Sequence, residues 1–211
     1  MSEIVKVENV TKYFKQEKVL DDVNMNLETG HIYGIVGKNG AGKTVLFKII
    51  AGFIKPSSGK VTVAGKIIGV DRDFPDSLGL IIETPGFLSQ YNAYQNLLYL
   101  ANINNKISKE DVKESIRMVG LDPSSNKKVG KFSLGMRQRL GIAQAIMENP
   151  SFLILDEPLN GLDKNGIKEM RNFFLEMKNS GKIILMASHN KYDMEVLCDE
   201  LYELEAGKLV Y

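Results

Sequence analysis

Hydrophobic residues alternate with polar ones twice near the start of the chain. Ile4, Val5 and Val7 open one such stretch, and Val23, Met25 and Leu27 mark a second that runs to a turn at Gly30. A period of two is the pattern of a half-buried strand. Ile32, Tyr33, Ile35 and Val36 form a denser apolar run and predict a buried strand. Residues 45–54 predict an apolar helix, stopped by Lys55-Pro56-Ser57-Ser58-Gly59. Residues 60–64 then read as a short strand that Gly65 turns toward Ile67 and Ile68, a hairpin able to pair with the N-terminal strands.

Beyond residue 90 the period lengthens. Tyr94, Leu97, Leu98 and Ala101 recur at three- and four-residue spacing, and Ser108 with Asp111 has the form of a capped start for a helix ending near Gly120. Residues 134–148 predict another helix, closed by Pro150. Residues 152–155 are wholly apolar, as expected of a central parallel strand covered on both faces. A helix over 167–177, a buried strand over 183–187, part of a helix over 194–197 and a closing hairpin over 201–211 around Ala206-Gly207 follow. Strands alternating with helices predict an α/β fold with a mainly parallel core sheet, an N-terminal antiparallel β subdomain and a helical insertion. The expected division is one domain over 1–211, with a core lobe from 1–82 and 152–211 and a helical lobe from 83–151.

Composition narrows the class without naming it. Hydrophobic residues make up 44% and charged residues 25%, ordinary values for a globular protein. Lys and Arg number 27 against 26 Asp and Glu, and the net charge of +1 offers no bulk attraction to nucleic acid or anionic lipid. A single cysteine, Cys198, excludes an intramolecular disulfide and reads as a small apolar filler on a helix. No apolar run approaches the ~18 residues of a membrane span, and the N-terminal residues lack the basic flank and apolar core of a cleaved signal.

Chemistry enters with Gly37, Lys38, Asn39, Gly40, Ala41, Gly42, Lys43 and Thr44, which meet the pattern G-x-x-x-x-G-K-[ST] at every fixed position. A buried strand precedes them and an apolar helix starting with Val45 follows. Glycines let the backbone curl, the helix amides face an anion, Lys43 reaches the β- and γ-phosphates, and Thr44 holds Mg²⁺ through its hydroxyl. A glycine turn that binds nothing is the competing reading. Farther on, Asp156 and Glu157 end the apolar strand over 152–155, where ligand sites of open α/β sheets lie. Asp156 is placed to orient Mg²⁺ and Glu157 to accept a proton from an attacking water.

A phosphate loop alone fits kinases, GTPases and many ATPases. Phe132-Ser133-Leu134-Gly135-Met136, followed by Arg137-Gln138-Arg139-Leu140, puts a serine and a glycine at a helix start, which suits an anion; an ordinary Ser N-cap would look the same. Here the chain resembles the nucleotide-binding subunits of ATP-binding cassette transporters, whose signature is usually LSGGQ before a basic-rich helix. The resemblance spans essentially the whole chain. It implies that Leu159-Asn160-Gly161-Leu162-Asp163 is the D-loop, with Asp163 near nucleotide, and that Ala187-Ser188-His189 carries the switch histidine. Phe14 matches the aromatic position that stacks on adenine, with Tyr13 as a competitor, and Val19 flanks the base. His31, in a turn, has no such place and reads as structural or solvated.

The resemblance further implies two ATP molecules sandwiched between two such domains, in a homodimer or a dimer with a paralogue. Ser133, Gly135 and Met136 then act on the nucleotide of the opposite protomer, Glu157 polarises water, and Lys43 and His189 meet the phosphates. Separate transmembrane permease subunits would recruit the protein to the cytoplasmic face of a bacterial membrane, with no nucleic-acid partner. One departure narrows the subfamily. Leu80-Ile81-Ile82-Glu83 supplies Glu83 where most members carry glutamine, adding a carboxylate near the expected Mg²⁺. With the SLGM form of the signature, it resembles transporters that confer immunity to lantibiotics or export bacitracin-like peptides. The surface after Glu83, with Phe87, Leu88, Tyr91, Tyr94, Leu97 and Leu98, is either a groove for the permease or core packing. Two other classes compete: a soluble cassette ATPase acting on ribosomes or DNA, and a small-molecule P-loop kinase, which leaves residues 132–136 and His189 without roles.

Overall fold

A computed structural model describes residues 4–210, so Tyr211, the last residue of the expected closing hairpin, lies outside the described residues. β1 (Ile4–Phe14) and β2 (Glu17–Glu28) pair antiparallel, with Val5 opposite Leu27 and Val7 opposite Met25. Val5, Val7, Val23, Met25 and Leu27 are buried while Lys6, Asn24 and Asn26 between them face solvent, which is the predicted alternation. β3 (His31–Val36) follows and leads into α1 (Lys43–Ile50). His31 opens that strand rather than sitting in a turn, its Nδ1 lying 3.1 Å from the Thr29 carbonyl.

The predicted helix over 45–54 starts earlier and stops at Ile50. Gly52 takes a left-handed φ of 91°, and the amides of Gly52 and Phe53 close back on the carbonyls of Ile49 and Lys48. That pair of bonds terminates a helix, and glycine makes it inexpensive. β4 (Ser58–Val63) pairs with β1 and with β5 (Lys66–Ile67), completing a sheet of order β2-β1-β4-β5. β6 (Leu78–Ile81) is a strand the sequence pattern does not announce. Its Gly79 packs so tightly that an added Cβ would stand 2.1 Å from the Ala145 carbonyl oxygen.

α2 (Ala93–Asn104), α3 (Lys109–Met118) and α4 (Leu134–Ile146) come next. α3 begins as expected, with reciprocal bonds between Ser108 and Asp111. β7 (Phe152–Asp156), α5 (Lys164–Asn179), β8 (Ile183–Ala187), α6 (Lys191–Leu197), β9 (Glu200–Glu205) and β10 (Lys208–Val210) finish the chain. β3 and β6 to β10 form a second sheet of order β10-β9-β3-β8-β7-β6, parallel except for the last hairpin. Alternate residues of its central strands enter opposite cores. Ile32, Leu153, Leu155, Ile184 and Met186 pack against α2 to α6, whereas Tyr33, Ile35, Phe152, Ile154 and Leu185 pack against α1 and the antiparallel sheet. Two-sided burial is why these strands read as continuous apolar runs. Cys198 caps α6, and burial pushes its thiol up to about 12, consistent with an inert filler.

Candidate functional site

Because β3, β6, β7 and β8 run parallel, their C-terminal ends meet on one edge of the sheet. Ile35 and Asp156 both stand in register with Ala187, and Ile81 pairs with Leu155. The four segments leaving those ends carry the phosphate-loop motif, Glu157, His189 and Glu83. They surround a cavity of about 540 Å³, within the range that holds small-molecule ligands.

The loop itself is shaped for an anion. A Cβ at Gly37 would stand 2.4 Å from the Leu204 carbonyl oxygen, so only glycine passes there. Gly42 adopts φ 106° as the N-cap of α1 and offers no side chain to its amides, and the first turn holds no acidic residue. The helix start therefore presents N–H groups and partial positive charge to the cavity. Lys43 is 8% exposed, and its ammonium donates to the carbonyls of Gly37 at 2.6 Å and Lys38 at 3.2 Å. A lysine solvated only by backbone carbonyls at the cavity wall is a fixed counter-charge for phosphate.

At the next residue of the same helix, the Thr44 hydroxyl donates to Asp156 Oδ2 at 3.0 Å. A hydroxyl and a carboxylate side by side suit Mg²⁺, which binds through one or two protein oxygens and takes the rest from phosphate and water. Among the described residues no group of three or more His, Cys, Asp and Glu forms a metal cage.

Glu157 is the strained member. Its φ is 51°, a left-handed conformation that costs on the order of 1–3 kcal/mol outside glycine. Its amide donates to the Ala187 carbonyl at 2.9 Å, and its own carbonyl accepts from Asn160 N–H at 3.2 Å and from the Gln138 side-chain amide at 3.1 Å. The carboxylate points at the cavity with Oε1 buried. His189 Nε2 lies 3.3 Å from that oxygen at ion-pair distance, and Oε1 accepts no hydrogen bond within the protein. A buried acceptor left without a hydrogen bond beside a phosphate loop is what a nucleophilic water would satisfy.

The cavity brings together Val19, Asn39 to Val45, Glu83, Asp156, Glu157 and His189 from the sequence-derived set. Gly37 and Lys38 lie on the far wall of the loop, lining a smaller recess of about 240 Å³ with His189. Glu83 pairs its carboxylate with Lys48 at 2.6 Å. Phe14 and Tyr13 lie outside the cavity wall, 45% and 43% exposed, each under a lysine ammonium from Lys12 and Lys18 respectively. Ser133 caps α4 through the Met136 amide, Asp163 caps α5 through the Gly166 amide, and neither they nor Gly135 and Met136 line the cavity.

Sequence reasoning passed over Thr84, Leu134, Gln138 and Asn160, which do line it. Gln138 carried a legible signal, a polar residue on the inward stripe of an apolar helix. Of the residues expected to form a permease groove, Leu97 is fully buried and Phe87 and Tyr94 pack against the core, so that part of the groove reading is corrected to core packing. A groove of about 330 Å³ opens instead between Lys48, Phe53, residues 80–86, Gly141 and Gln144.

Comparison with known proteins agrees with this layout. The family described as ABC transporter matches residues 20–160. An uncharacterised ABC transporter ATP-binding protein of Bacillus subtilis is 44% identical over 206 residues, 98% of this chain and 94% of that one. The bacitracin transport ATP-binding protein of Bacillus licheniformis is 42% identical over 212 residues, spanning all of this chain and 69% of its own length. A solved ATP-binding cassette of an ABC transporter in its ADP conformation superposes with a TM-score of 0.85 at 26% identity, over 99% of this chain and 89% of that one.

Proposed function

The chain belongs to the ABC transporter family as an ATP-binding, ATP-hydrolysing subunit, and from that premise we propose that it powers export of an antimicrobial peptide of the bacitracin or lantibiotic kind through a separate membrane permease. The observation carrying the catalytic reading is the convergence of Lys43, the Thr44–Asp156 pair and the Glu157 carboxylate, whose buried Oε1 accepts no hydrogen bond, on one cavity edge. The cargo class rests on likeness along the entire chain to a bacitracin transport subunit, together with Glu83 and the SLGM signature.

In this reading one cassette domain spans residues 1–211, and ATP lies along the phosphate loop with its base toward Val19 and Phe14. Lys43 and the α1 amides hold the β- and γ-phosphates, while Thr44 and Asp156 hold Mg²⁺, which would screen phosphate charge. Glu157 takes a proton from the attacking water, and His189 contacts the γ-phosphate. Ser133, Gly135, Met136 and Asp163 stand apart from the chain's own cavity, which supports their acting across a dimer on the opposite nucleotide. The test is light scattering of the Glu157→Gln protein. An Mg²⁺-ATP-dependent dimer that Ser133→Arg abolishes is expected; a persistent ATP-bound monomer in both would remove the composite site.

No described helix is long and apolar enough to cross a membrane, so the permease would supply attachment at the cytoplasmic face. The groove beside Phe53 is the proposed seat for it. Phe53 is 57% exposed and meets Phe74 edge to face at 5.5 Å. Glu83 lines both this groove and the nucleotide cavity, which supports a role in relaying one to the other. Its ion pair with Lys48 is solvent-exposed and worth at most about 1 kcal/mol, so Glu83→Gln is expected to leave thermal stability nearly unchanged while altering ATP turnover or transport. Unaltered turnover and transport would take Glu83 out of the mechanism.

A further inference from the structure

Gln138 is a buried polar side chain with no part in the scheme above. It is 9% exposed, sits one turn after Leu134 on α4, and directs its amide at the backbone of Glu157. We propose that Gln138 is a positioning residue that ties each chain's signature helix to that chain's own Glu157, so that displacement of the helix start changes the aim of the carboxylate. The proposal rests on Glu157 being the base.

Two independent contacts support it. The Gln138 amide donates at 3.1 Å to the Glu157 carbonyl, the same oxygen that accepts from Asn160 N–H. These two hydrogen bonds to one acceptor hold the peptide after Glu157 while the Ala187 carbonyl holds the one before it, and φ at 51° persists only under such constraint. Four residues beyond Glu157, the chain is wedged against the helix start. A Cβ on Gly135 would stand 2.7 Å from the Gly161 carbonyl oxygen, and one on Gly161 would stand 2.5 Å from Leu134 Cγ. No slack separates the two segments.

The helix also responds as a body. Arg139, next to Gln138, donates to the Val119 carbonyl at 2.6 Å and pairs with Glu169 at 2.7 Å, fastening α4 to the end of α3 and to α5. A push on Ser133 and Gly135 from a nucleotide held by the opposite protomer therefore has a short rigid path to Glu157 of the chain being pushed. The signature would act twice, on the nucleotide it touches and on its own catalytic carboxylate.

The discriminating variant is Gln138→Glu, which keeps the shape but removes the donor and sets a carboxylate against a carbonyl; Gln138→Met removes the bond without adding charge. Single-turnover hydrolysis of Mg²⁺-ATP by the full chain, ATP affinity and melting temperature are measured in each, alone and combined with Glu157→Gln. The expected result is hydrolysis slowed about 10- to 100-fold with ATP affinity retained. In the Glu157→Gln background the same changes add little, because the base they aim is already gone. Hydrolysis at the parent rate in either folded variant, or an equal loss with and without Glu157, overturns the proposal. Hydrolysis that survives Glu157→Gln alone would instead overturn the assignment of the base.

Discussion

Replacing Glu157 by glutamine is expected to slow ATP hydrolysis about 10²–10⁴-fold while leaving nucleotide binding intact. The amide matches the carboxylate in shape but cannot take a proton, so the change isolates one chemical property. Position argues for a large effect. Glu157 directly follows a strand buried on both faces, its backbone is held by Ala187, Asn160 and Gln138, and its buried Oε1 accepts no hydrogen bond. A carboxylate fixed in that way loses little energy to reorganisation when it meets water. His189 stands close enough to compete as the base, and the experiment separates the two. Phosphate release within tenfold of the parent protein would move that role to His189, whereas loss of ATP binding would mean the substitution disturbed the cavity.

Lys43→Met removes the other indispensable charge and is expected to weaken ATP binding by about 10²–10⁴-fold, since hydrogen bonds to charged groups contribute roughly 1.5–3 kcal/mol each and Lys43 serves two phosphates. Methionine matches the length of the aliphatic stem, so the buried volume of the Lys43 side chain stays filled. The carbonyls of Gly37 and Lys38 lose their donor and turn acceptor surface toward the phosphates, which adds repulsion to the missing attraction. Calorimetric titration reads the affinity directly, with exposed Lys38→Ala as the comparison expected to bind nearly as well as the parent. Equal affinity in the Lys43 and parent proteins would mean the loop does not cradle phosphate.

Sequence periodicity recovered the elements that bury a continuous face. β7 and β8 were readable because both of their faces are covered, and α3 because Ser108 and Asp111 write its cap into the chain. β6 escaped because it is a four-residue edge strand whose central glycine exists to admit the Ala145 carbonyl, a tertiary demand invisible locally. The site divided in the same way. Motif residues contiguous in sequence, residues 39–45 and Asp156-Glu157, come together as the pattern requires. Contacts made between motifs, Lys48 with Glu83 and Gln138 with Glu157, depend on how helices seat against strand ends, and no spacing rule encodes them.

Strand order also fixes when the protein can begin to work. β3, which delivers the phosphate loop, is flanked by β8 and β9, and the turn at Gly207 closes on Val19 and Asp21 beside the loop. During vectorial synthesis the loop is made among the first forty or so residues, yet both neighbours of its strand emerge roughly 150–170 residues later, a delay of about 10–30 s at typical elongation rates. Throughout that interval the nascent chain carries an apolar strand with two open edges and no formed pocket. Ligand cannot stabilise an early intermediate, because the cavity walls run from Val19 to His189 and are complete only after the last of these has been made. Premature termination before residue 200 leaves at least one edge of β3 unpaired, so the product is expected to aggregate rather than bind weakly, which a solubility measurement on the truncated chain checks.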